Sequence, residues 1–279
     1  MEILKNKKAV ITGGNRGIGK TIATEYLKNG AEVFLLARSV DELNETQKEL
    51  AALGNIWIMA ADVSRPDDVR RVASEVAKTF GTIDILVNAA GVYGPIGSVT
   101  DVDPEEWKKT IDINLFGTFL CVHFFAPLIK NNKNGSIINF VGGGEGAYPN
   151  FSSYVSAKGG IARFTETVAE ELKDLGVDVN AIAPGAVNTK LLDDLVKAGP
   201  EKAGKANYER ALQQKASGGV SPQKAAALCL FLASDKAHGI TGKIFSAVWD
   251  SYQDFPKYKK EIMTTDVYTM RRVRPKWQQ

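Results

Sequence analysis

Short apolar runs rich in β-branched residues alternate along this chain with longer segments whose apolar positions recur every three or four residues. The first pattern predicts buried strands and the second predicts amphipathic helices. Seven segments qualify as strands: 8–13, 32–37, 56–62, 83–89, 136–141, 177–183 and 242–248. This alternation is typical of an α/β fold, so we predict one doubly wound, seven-stranded, mainly parallel sheet with helices on both faces.

Three predicted helices carry start signals in the sequence. Ser39 precedes Glu42 by three residues, which is the spacing of a capping box. Asp103 and Ser221 each stand immediately before a proline, a residue that favours the first turn of a helix. The stretch 190–219 falls outside the regular alternation, and we expect it to form a helical excursion over one end of the sheet.

The composition indicates a globular protein with nearly balanced charge. The chain has 279 residues, 44% of them hydrophobic, and a formal net charge of +3. This balance argues against nucleic acid or a membrane as a partner. Cys121 and Cys229 lie in apolar helical patterns without metal-ligand spacing, so we expect neither a disulfide nor a metal site. The sequence pattern suggests no signal peptide and no 18-residue apolar span, and we expect a cytoplasmic protein.

The first predicted strand is followed by the glycine-rich sequence TGGNRGIG, residues 12–19, which opens a helix. Its glycines allow a sharp turn, a close approach of backbone to an anion and tight packing of helix on strand. The helix N-terminus adds free N–H groups and positive partial charge. This arrangement predicts a Rossmann-type site for the diphosphate of a dinucleotide, formed by Gly13, Asn15, Arg16, Gly17, Ile18 and Gly19.

The end of the second predicted strand indicates which dinucleotide is bound. An acidic residue here would accept hydrogen bonds from the adenosine ribose of NAD, but the chain reads Ala37-Arg38-Ser39. Arg38 can pair with a 2′-phosphate instead, and Arg16 would add a second positive charge. The alternative is that Arg38 is merely solvated and Asp41 binds the ribose, although Asp41 fits the first turn of the next helix better. We therefore predict NADP, with NAD as the weaker candidate.

Two further strand ends supply candidate cofactor contacts. The third strand ends at Asp62 and Val63, which could hold the adenine, and the fourth ends in the sequence NAAG. Small residues at this edge would leave room for the cofactor, so Asn88, Ala89 and Gly91 join the predicted site. Taken alone, each of these segments is better explained as an ordinary turn from strand to loop.

A third group of motifs lies further along the chain. Tyr154 and Lys158 are four residues apart, which stacks them on one face of a helix, although such a pair also arises by chance. Together with TGGNRGIG, NAAG, Asn114 in INLFGTF and the sequence PGAVNT at 184–189, the pair makes the chain resemble the classical short-chain dehydrogenase/reductase family. The resemblance covers about residues 5–248, and several independent motifs occur in the family's order.

The resemblance implies an enzyme that acts on CH–OH groups and interconverts a ketone and a secondary alcohol by hydride transfer with NAD(P). Tyr154 is then the general acid or base, which requires a shift of its pKa down from about 10 for work near neutrality. Lys158 favours the phenolate by its charge and binds the nicotinamide ribose, and Asn114 holds a water relay. Tyr154 and Lys158 thus also count as cofactor contacts, and the nicotinamide end is held by Pro184, Gly185, Val187 and Thr189.

The chain departs from the family at the usual catalytic serine, about thirteen residues before the tyrosine. Counting back from Tyr154 gives Val141, which is followed by glycines at 142–144. Losing one such hydrogen-bond donor costs about 3 kcal/mol unless another group replaces it. A backbone N–H of the glycine run, Glu145 or one of the serines at 152 and 153 could substitute, although the two serines fit a helix cap better. The glycine run indicates either a reshaped, roomier substrate site or the loss of catalytic activity.

We expect one Rossmann-type dinucleotide-binding and catalytic domain over 1–250, within which 190–219 is a substrate lid. The basic C-terminal extension over 251–279 has seven Lys or Arg against three acidic residues and is not a separate domain. It either covers the site or reaches a neighbouring subunit. The family resemblance implies a homodimer or homotetramer.

Two functions remain open from the sequence. The leading hypothesis is an NADP-dependent oxidoreductase for a small carbonyl or alcohol. The alternative is a non-catalytic NADP-binding or scaffold protein that lost turnover with the serine, and an isomerase or dehydratase that uses bound cofactor transiently is a weaker third. The substrate could equally be a sugar, an acyl thioester or a polyketide-like ketone.

Overall fold

A computed structural model describes residues 2–129, 134–143 and 146–272. All neighbouring strands in these residues pair in parallel, in the order β3-β2-β1-β4-β5-β6-β7. The predicted doubly wound seven-stranded sheet is confirmed, and most strands are shorter than the apolar runs suggest. The strands are β1 Lys8–Thr12, β2 Glu32–Ala37, β3 Ile56–Ala60, β4 Ile85–Asn88, β5 Gly135–Phe140, β6 Val177–Ala183 and β7 Ile244–Ser246.

Helices cover both faces of this sheet. The helix that follows β3 buries an apolar stripe, in which Val69, Val72, Val76 and Phe80 recur at helical spacing. The helices are α1 Gly17–Lys28, α2 Val40–Leu50, α3 Pro66–Phe80, α4 Pro104–Ile111, α5 Gly117–Ile129, α6 Ser152–Glu171, α7 Lys190–Ala203, α8 Lys205–Ser217, α9 Pro222–Leu232 and α10 Phe255–Thr264.

The central strand β1 shows how the two cores form. Ile11 faces a cluster built with α1 and α9, whereas its neighbour Val10 faces a cluster built with α3 and α5, because side chains alternate along a strand. The hydroxyl of Tyr26 donates a 3.0 Å hydrogen bond to the carbonyl oxygen of Cys229 and ties α1 to α9. Cys121 and Cys229 are both free and buried.

The predicted helix starts at Ser39, Asp103 and Ser221 are confirmed. Each side chain accepts a hydrogen bond from the first turn of its helix. The proposed cap at Ser152 and Ser153 is wrong: both residues lie inside the first turn of α6, and Phe151 occupies the cap position without a side-chain hydrogen bond.

A continuous helical stretch, Pro104–Ile129, joins α4 to α5 through a π-helical turn, Asp112–Phe116. By length and composition alone this stretch could cross a membrane, so the sequence-based expectation of no such span was wrong. Core helices of soluble proteins pass the same test. Here Leu120, Cys121 and Phe125 pack into the cluster beneath the sheet.

The two segments outside the regular alternation are both helical. The stretch 190–219 forms α7, kinked at Gly199, and α8, and these helices pack beside the start of α6. The described part of the C-terminal extension packs on its own chain, since Phe255 and Ile262 of α10 belong to the α1/α9 core. Arg274 and Lys276, two of the seven basic residues of this extension, lie outside the described residues.

Candidate active site

The carboxyl ends of β1, β2, β3 and β4 surround a cleft at the point where strand order reverses between β1 and β4. Parallel sheets bind ligands at such switch points because the loops diverge there. The cleft contains a cavity of about 270 Å³. Its lining consists of Asn15, Arg16, Ala37, Arg38, Ser39, Glu42, Ala61, Asp62, Val63, Ala90, Gly91, Val92 and Ile113.

The glycine turn between β1 and α1 forms one wall of this cleft. Gly13 has φ +65°, and a Cβ on it would lie 2.9 Å from the Cα of Ala90. A Cβ on Gly19 would collide with the backbone carbonyl of Gly13. The turn therefore requires glycine at both positions, and it leads into the N-terminus of α1, whose partial positive charge suits a diphosphate. These residues fit a dinucleotide.

A carboxylate missed by the sequence analysis lies in the adenosine part of the cleft. Glu42, in the first turn of α2, accepts hydrogen bonds of 2.8 and 3.2 Å from Arg16 Nη1 and a further one from Asn15 Nδ2. Arg38 is exposed at the cleft, and within the described chain no acidic side chain lies within ion-pair distance of it. Asp41 is exposed and does not line the cleft.

Asp62 and Val63 both line the cleft after β3, as predicted. The carboxylate of Asp62 accepts hydrogen bonds of 2.9 Å from the backbone N–H of Ser64 and 2.7 Å from its hydroxyl. Val63 packs closely against Gly117, where a Cβ would lie 2.9 Å from Val63 Cγ2. The end of β3 is thus held rigidly against α5.

The predicted contacts after β4 divide into two groups. Gly91 lines the cleft, together with Ala90, which the sequence analysis did not single out. Asn88 lies beneath the cleft instead, where its Nδ2 donates a 2.9 Å hydrogen bond to Asn139 of β5. The Oδ1 atom of Asn88 has no partner among the described residues. Ala89 is half-buried and outside the cavity lining.

Asn114 occupies the π-helical turn, a feature that often marks functional sites. It is fully buried and joined to Val92 in both directions: its Nδ2 donates to the Val92 carbonyl at 2.9 Å and its Oδ1 accepts from the Val92 N–H at 3.1 Å. A Cβ on Gly91 would lie 2.8 Å from Asn114 Oδ1 and 3.7 Å from Lys158 Nζ. Asn114 and Lys158 therefore adjoin the same wall of the cleft.

Lys158 of α6 is buried beside the last residue of β5. Its Nζ donates a 2.8 Å hydrogen bond to the carbonyl oxygen of Phe140. Burial lowers the pKa of this ammonium to about 8. The Nζ atom also lies 5.7 Å from the ring centroid of Tyr154. Both members of the predicted pair are therefore buried rather than solvent-exposed, and Lys158 lies next to Gly91 of the cleft wall.

Tyr154 is 8% exposed, and its pKa differs from the sequence-based expectation. Burial, and then the neighbouring Tyr148, raise the pKa of the Tyr154 hydroxyl above its ordinary value. The pKa of Tyr154 is thus shifted upward and not downward as expected, and the Lys158 ammonium contacts the Phe140 carbonyl and the face of the Tyr154 ring. The phenol is therefore held protonated, the form that donates a proton.

The residue that faces the Tyr154 hydroxyl is Gly142. A Cβ on Gly142 would lie 2.6 Å from the Tyr154 oxygen, whereas Val141 packs with Ile161 and Ala181 in a separate apolar cluster. The hydroxyl of Tyr154 thus adjoins the first glycine of the run that follows Val141. The left-handed turn at Gly143, with φ +89°, redirects the chain directly after this point. Gly144 and Glu145 lie outside the described residues.

Of the two serines proposed as substitutes, one is already hydrogen-bonded and the other is buried. Ser152 Oγ accepts a 3.0 Å hydrogen bond from the indole Nε1 of Trp107. Ser153 is fully buried, and its Oγ has no partner among the described residues.

Two tyrosines that the sequence analysis missed lie next to Tyr154. The ring of Tyr93, from the loop after β4, makes an edge contact with Tyr154 at 4.8 Å between centroids. Tyr148, from the loop after β5, stacks on Phe151 at 4.3 Å. Tyr93 and Tyr148 both pack against the cluster that contains Phe151 and Tyr154. Leu192 and Leu195 of α7 complete this aromatic cluster.

The sequence PGAVNT after β6 lies against the glycine turn. A Cβ on Gly17 would lie 3.5 Å from Thr189 Cγ2. Gly185 has φ +82°, Val187 is buried, and Pro184 is half-buried. Thr189 stands at the start of α7, so this segment connects the cleft to the helical excursion.

No group of three or more His, Cys, Asp or Glu side chains in the described chain is arranged to hold a metal ion.

Comparisons with known proteins agree with this architecture. The family model for short chain dehydrogenases matches residues 7–199. The uncharacterized oxidoreductase YxbG of Bacillus subtilis strain 168 is 35% identical over 247 residues, which cover 88% of this chain and 90% of that protein. The 3-oxoacyl-acyl-carrier-protein reductase FabG of Staphylococcus epidermidis is 34% identical over 245 residues, which cover 85% of this chain and 96% of that protein.

A solved structure is similarly close. Carveol dehydrogenase from Mycobacterium avium in complex with NAD superposes with a TM-score of 0.79 and 25% sequence identity, over 88% of this chain and 97% of that one. The chain therefore belongs to the short-chain dehydrogenase/reductase family, in its classical form. It is an NAD(P)-dependent oxidoreductase that acts on CH–OH groups.

Proposed function

We propose that this protein interconverts a ketone and a secondary alcohol with NADP as its cofactor. The observation that carries the proposal is the position of Gly91. Gly91 lines the dinucleotide cleft and is at the same time the neighbour of Lys158 Nζ and Asn114 Oδ1. The candidate catalytic groups thus adjoin the wall against which the nicotinamide end of the cofactor would lie.

In this proposal the bound nicotinamide supplies the hydride in reduction and accepts it in oxidation. Tyr154 gives its phenolic proton to the substrate oxygen in reduction and takes one from the alcohol in oxidation. Lys158 places a positive charge behind the phenol, and Asn114 holds the loop at Val92 in place through its paired hydrogen bonds. The raised pKa of Tyr154 favours the proton-donating role and hence reduction at neutral pH.

The remaining predicted residues hold the cofactor in this proposal. The diphosphate lies on the glycine turn at the start of α1, and the adenosine lies between Arg38 and Asp62. Pro184, Gly185, Val187 and Thr189 hold the nicotinamide end, which the proximity of Thr189 to Gly17 supports.

The preference for NADP rests on Arg38. Its guanidinium is exposed at the cleft and lacks an acidic partner among the described residues, so it is free to pair with a 2′-phosphate. Arg16 contributes less than its position suggests, because Glu42 neutralises it. Asp41 supports the NAD alternative poorly, since it lies outside the cavity lining.

Turnover tests the activity. NADPH oxidation would be followed with cyclohexanone, acetophenone, ethyl acetoacetate and fructose, comparing the parent with Tyr154→Phe. We expect the parent to reduce at least one ketone and Tyr154→Phe to lose activity by at least about 10². Tyr258→Phe, which removes an exposed hydroxyl from α10, is the matched control. No substrate-dependent oxidation by the parent would contradict the proposal.

Cofactor binding tests the nucleotide preference separately. Dissociation constants for NADPH and NADH would be measured by fluorescence titration. We expect the parent to bind NADPH at least about tenfold more tightly and Arg38→Asp to reverse the order. Arg70→Asp makes the same change on the exposed face of α3, away from the cleft, and should leave both constants unchanged. Equal affinity of the parent for both nucleotides would refute the preference.

A second candidate function is supported by Gly142, which supplies no hydroxyl beside Tyr154. On this view the protein binds NADP without turnover and serves as a scaffold. It predicts normal NADPH binding with no oxidation by either the parent or Tyr154→Phe. An isomerase or dehydratase would instead form product without net NADPH loss.

The surroundings of Tyr154 bear on the substrate. The side chains that pack around Tyr154, among them the buried Phe151 and Leu195 and the half-buried Tyr93, are aromatic or aliphatic. These apolar surroundings favour a ketone with an apolar substituent over a sugar. We infer that α7 and α8 form a lid on this side and that the chain folds as one domain with its C-terminal extension. We further propose a cytoplasmic homodimer or homotetramer, which the exposed Phe116 and Phe119 support.

A further inference from the structure

Tyr154 lies in the first turn of α6, and that turn has no local side-chain cap. Phe151 occupies the cap position and makes no side-chain hydrogen bond there. By contrast, Ser39, Asp103 and Ser221 cap the first turns of α2, α4 and α9. Because the first N–H groups of a helix need partners, an uncapped turn is less well fixed. The position of Tyr154 therefore depends on contacts that other elements make with the start of α6.

The segment 148–151 leads into α6 and is bound from two sides. On one side, the backbone N–H of Gly97, in the loop after β4, donates a 2.9 Å hydrogen bond to the carbonyl oxygen of Asn150. On the other side, the side-chain Nδ2 of Asn207 donates a 3.2 Å hydrogen bond to the carbonyl oxygen of Pro149. Asn207 belongs to α8, so the helical excursion is tied directly to the segment that precedes the catalytic helix.

Asn207 is 8% exposed, and its polar atoms have partners that fit an amide. Its Nδ2 also donates a 3.0 Å hydrogen bond to the carbonyl oxygen of Ala203, and its Oδ1 accepts one of 3.0 Å from Nη2 of Arg210. The position therefore requires a short side chain that donates twice and accepts once. Asparagine meets this requirement, whereas an aspartate carboxylate has no proton to donate.

The backbone at the start of α8 also approaches the segment closely. A Cβ on Gly204 would lie 3.0 Å from the side-chain nitrogen of Asn150. Asn150 has φ +71°, in the left-handed region that residues with a side chain rarely adopt. Such a conformation persists where the surrounding structure fixes it, and here the hydrogen bonds from Gly97 and Asn207 do so.

The segment is connected to Tyr154 by two routes. The carbonyl oxygen of Phe151 accepts a 3.0 Å hydrogen bond from the N–H of Val155, in the turn that contains Tyr154. The buried ring of Phe151 also contacts Tyr93 at 5.1 Å between centroids, and Tyr93 contacts Tyr154 at 4.8 Å. A shift of Pro149 is therefore transmitted to Tyr154 through the helix backbone and through packed rings.

We propose that Asn207 is a positioning residue that holds Tyr154 in its reactive place through the segment 148–151. The helical excursion then does more than cover the substrate, because α8 fixes the start of the catalytic helix. Asn207 lies outside the lining of the cofactor cavity, so its effect on the reaction is indirect. The inference rests on the carbonyl reduction proposed above, since it assigns a residue that orients the proton donor of that reaction.

The variant Asn207→Ser tests this assignment. A serine hydroxyl in a helix bonds the carbonyl four residues back, so the variant keeps a bond to Ala203 and loses the one to Pro149. With the ketone that the parent reduces best, we expect kcat to fall by about tenfold to 10², because small misplacements of reacting groups cost this much. KM and the dissociation constant of NADPH should change by less than about threefold. Hydrogen exchange at the N–H of Val155 should become faster.

Asn180→Ser is the matched control for loss of buried amide hydrogen bonds. Asn180 of β6 is 1% exposed, its Nδ2 donates to the carbonyl oxygen of Ile240, and its Oδ1 accepts from the backbone N–H of Lys243. We expect a lower thermal midpoint, as in Asn207→Ser, with kcat within about twofold of the parent. The comparison separates positioning of Tyr154 from a general loss of stability.

A second variant changes only an exposed side chain. Arg210→Met removes the hydrogen bond to Oδ1 that orients the Asn207 amide. We expect kcat to fall by at least about threefold, since the amide is then free to turn away from Pro149. If Asn207→Ser does not fold, this variant decides, and an unchanged kcat overturns the inference.

The remaining outcomes are distinguishable. A folded Asn207→Ser protein with kcat within about threefold of the parent overturns the inference and leaves the proposed ketone reduction intact. Equal losses of kcat in Asn207→Ser and Asn180→Ser also overturn it. A rise in KM alone does the same, because Asn207 would then act on substrate binding. A parent that reduces none of the ketones overturns both proposals.

Discussion

The carboxylate of Glu42 bonds to both Arg16 and Asn15, so it spans the glycine turn and the first turn of α2 at the mouth of the cofactor cleft. Both partners had been assigned to the diphosphate site from the sequence. The carboxylate of Glu42 pairs with the guanidinium of Arg16, which could otherwise bind a 2′-phosphate. If NADP is the cofactor, as proposed above, this pairing leaves Arg38 as the main positively charged contact for its 2′-phosphate.

Glu42→Gln should strengthen the preference for NADPH over NADH. The variant frees Arg16 and removes a negative charge beside the expected phosphate, so we predict about fivefold tighter NADPH binding with NADH nearly unchanged. Fluorescence titration at low salt measures both constants. Glu45→Gln changes an exposed carboxylate of the same helix outside the cavity lining and serves as the control. An equal change for both nucleotides would show that Glu42 acts on the fold of the turn.

Gly19→Ala should impair cofactor binding through the glycine turn. The added Cβ meets the carbonyl of Gly13, which is rigid backbone, so the turn has to move. We expect NADPH affinity to fall by about tenfold or more, together with a lower thermal midpoint. Gly159→Ala in α6 is the control, because a Cβ there meets nothing within 4 Å and should stabilise the helix slightly. Unchanged affinity in Gly19→Ala would contradict the fit of a dinucleotide to this turn.

Lys158 should make the stability of the protein depend on alkaline pH. Its pKa is about 8 in the folded protein against an ordinary value of 10.5, so between these values the unfolded chain holds a proton that the folded chain has released. Stability rises with pH wherever the unfolded state binds more protons. The free energy of unfolding of the parent should therefore rise relative to Lys158→Met, by on the order of 3 kcal/mol from pH 7.5 to 10.5.

Urea unfolding of both proteins across this pH range measures the difference. The other titrating groups are common to the two chains and cancel in the comparison. A difference that does not change with pH would mean that Lys158 keeps its ordinary pKa, and that the ammonium is hydrated in the folded protein.

The C-terminal extension should contribute to stability through Phe255. This side chain is 3% exposed and contacts Phe245 of β7 and Tyr268. Phe255→Ala should lower the free energy of unfolding by about 3 to 5 kcal/mol, the usual cost of emptying such a site. Trp249→Ala is the matched control, because that side chain is 85% exposed and should change stability by less than about 0.5 kcal/mol. A neutral Phe255→Ala would show that α10 detaches in solution.

Local chemistry explains what could be predicted for the candidate site. The glycine turn is recognisable because two nearby positions both require glycine. Gly13 has a left-handed backbone, and Gly19 has no room for a Cβ. Tyr154 and Lys158 are recognisable because four residues span one helical turn. By contrast, counting residues could not identify Gly142 as the neighbour of Tyr154, since the turn at Gly143 changes the path of the loop.

The sequence by itself determined the seven-stranded sheet, the helix starts and the glycine turn, because periodicity, capping and backbone freedom are properties of short segments. The tertiary structure alone decided that Glu42 pairs with Arg16, that burial raises the pKa of Tyr154, and that the ring of Tyr93 packs against Tyr154. These contacts join loops that follow different strands. Their geometry depends on how the whole sheet brings its carboxyl ends together, which no local pattern records.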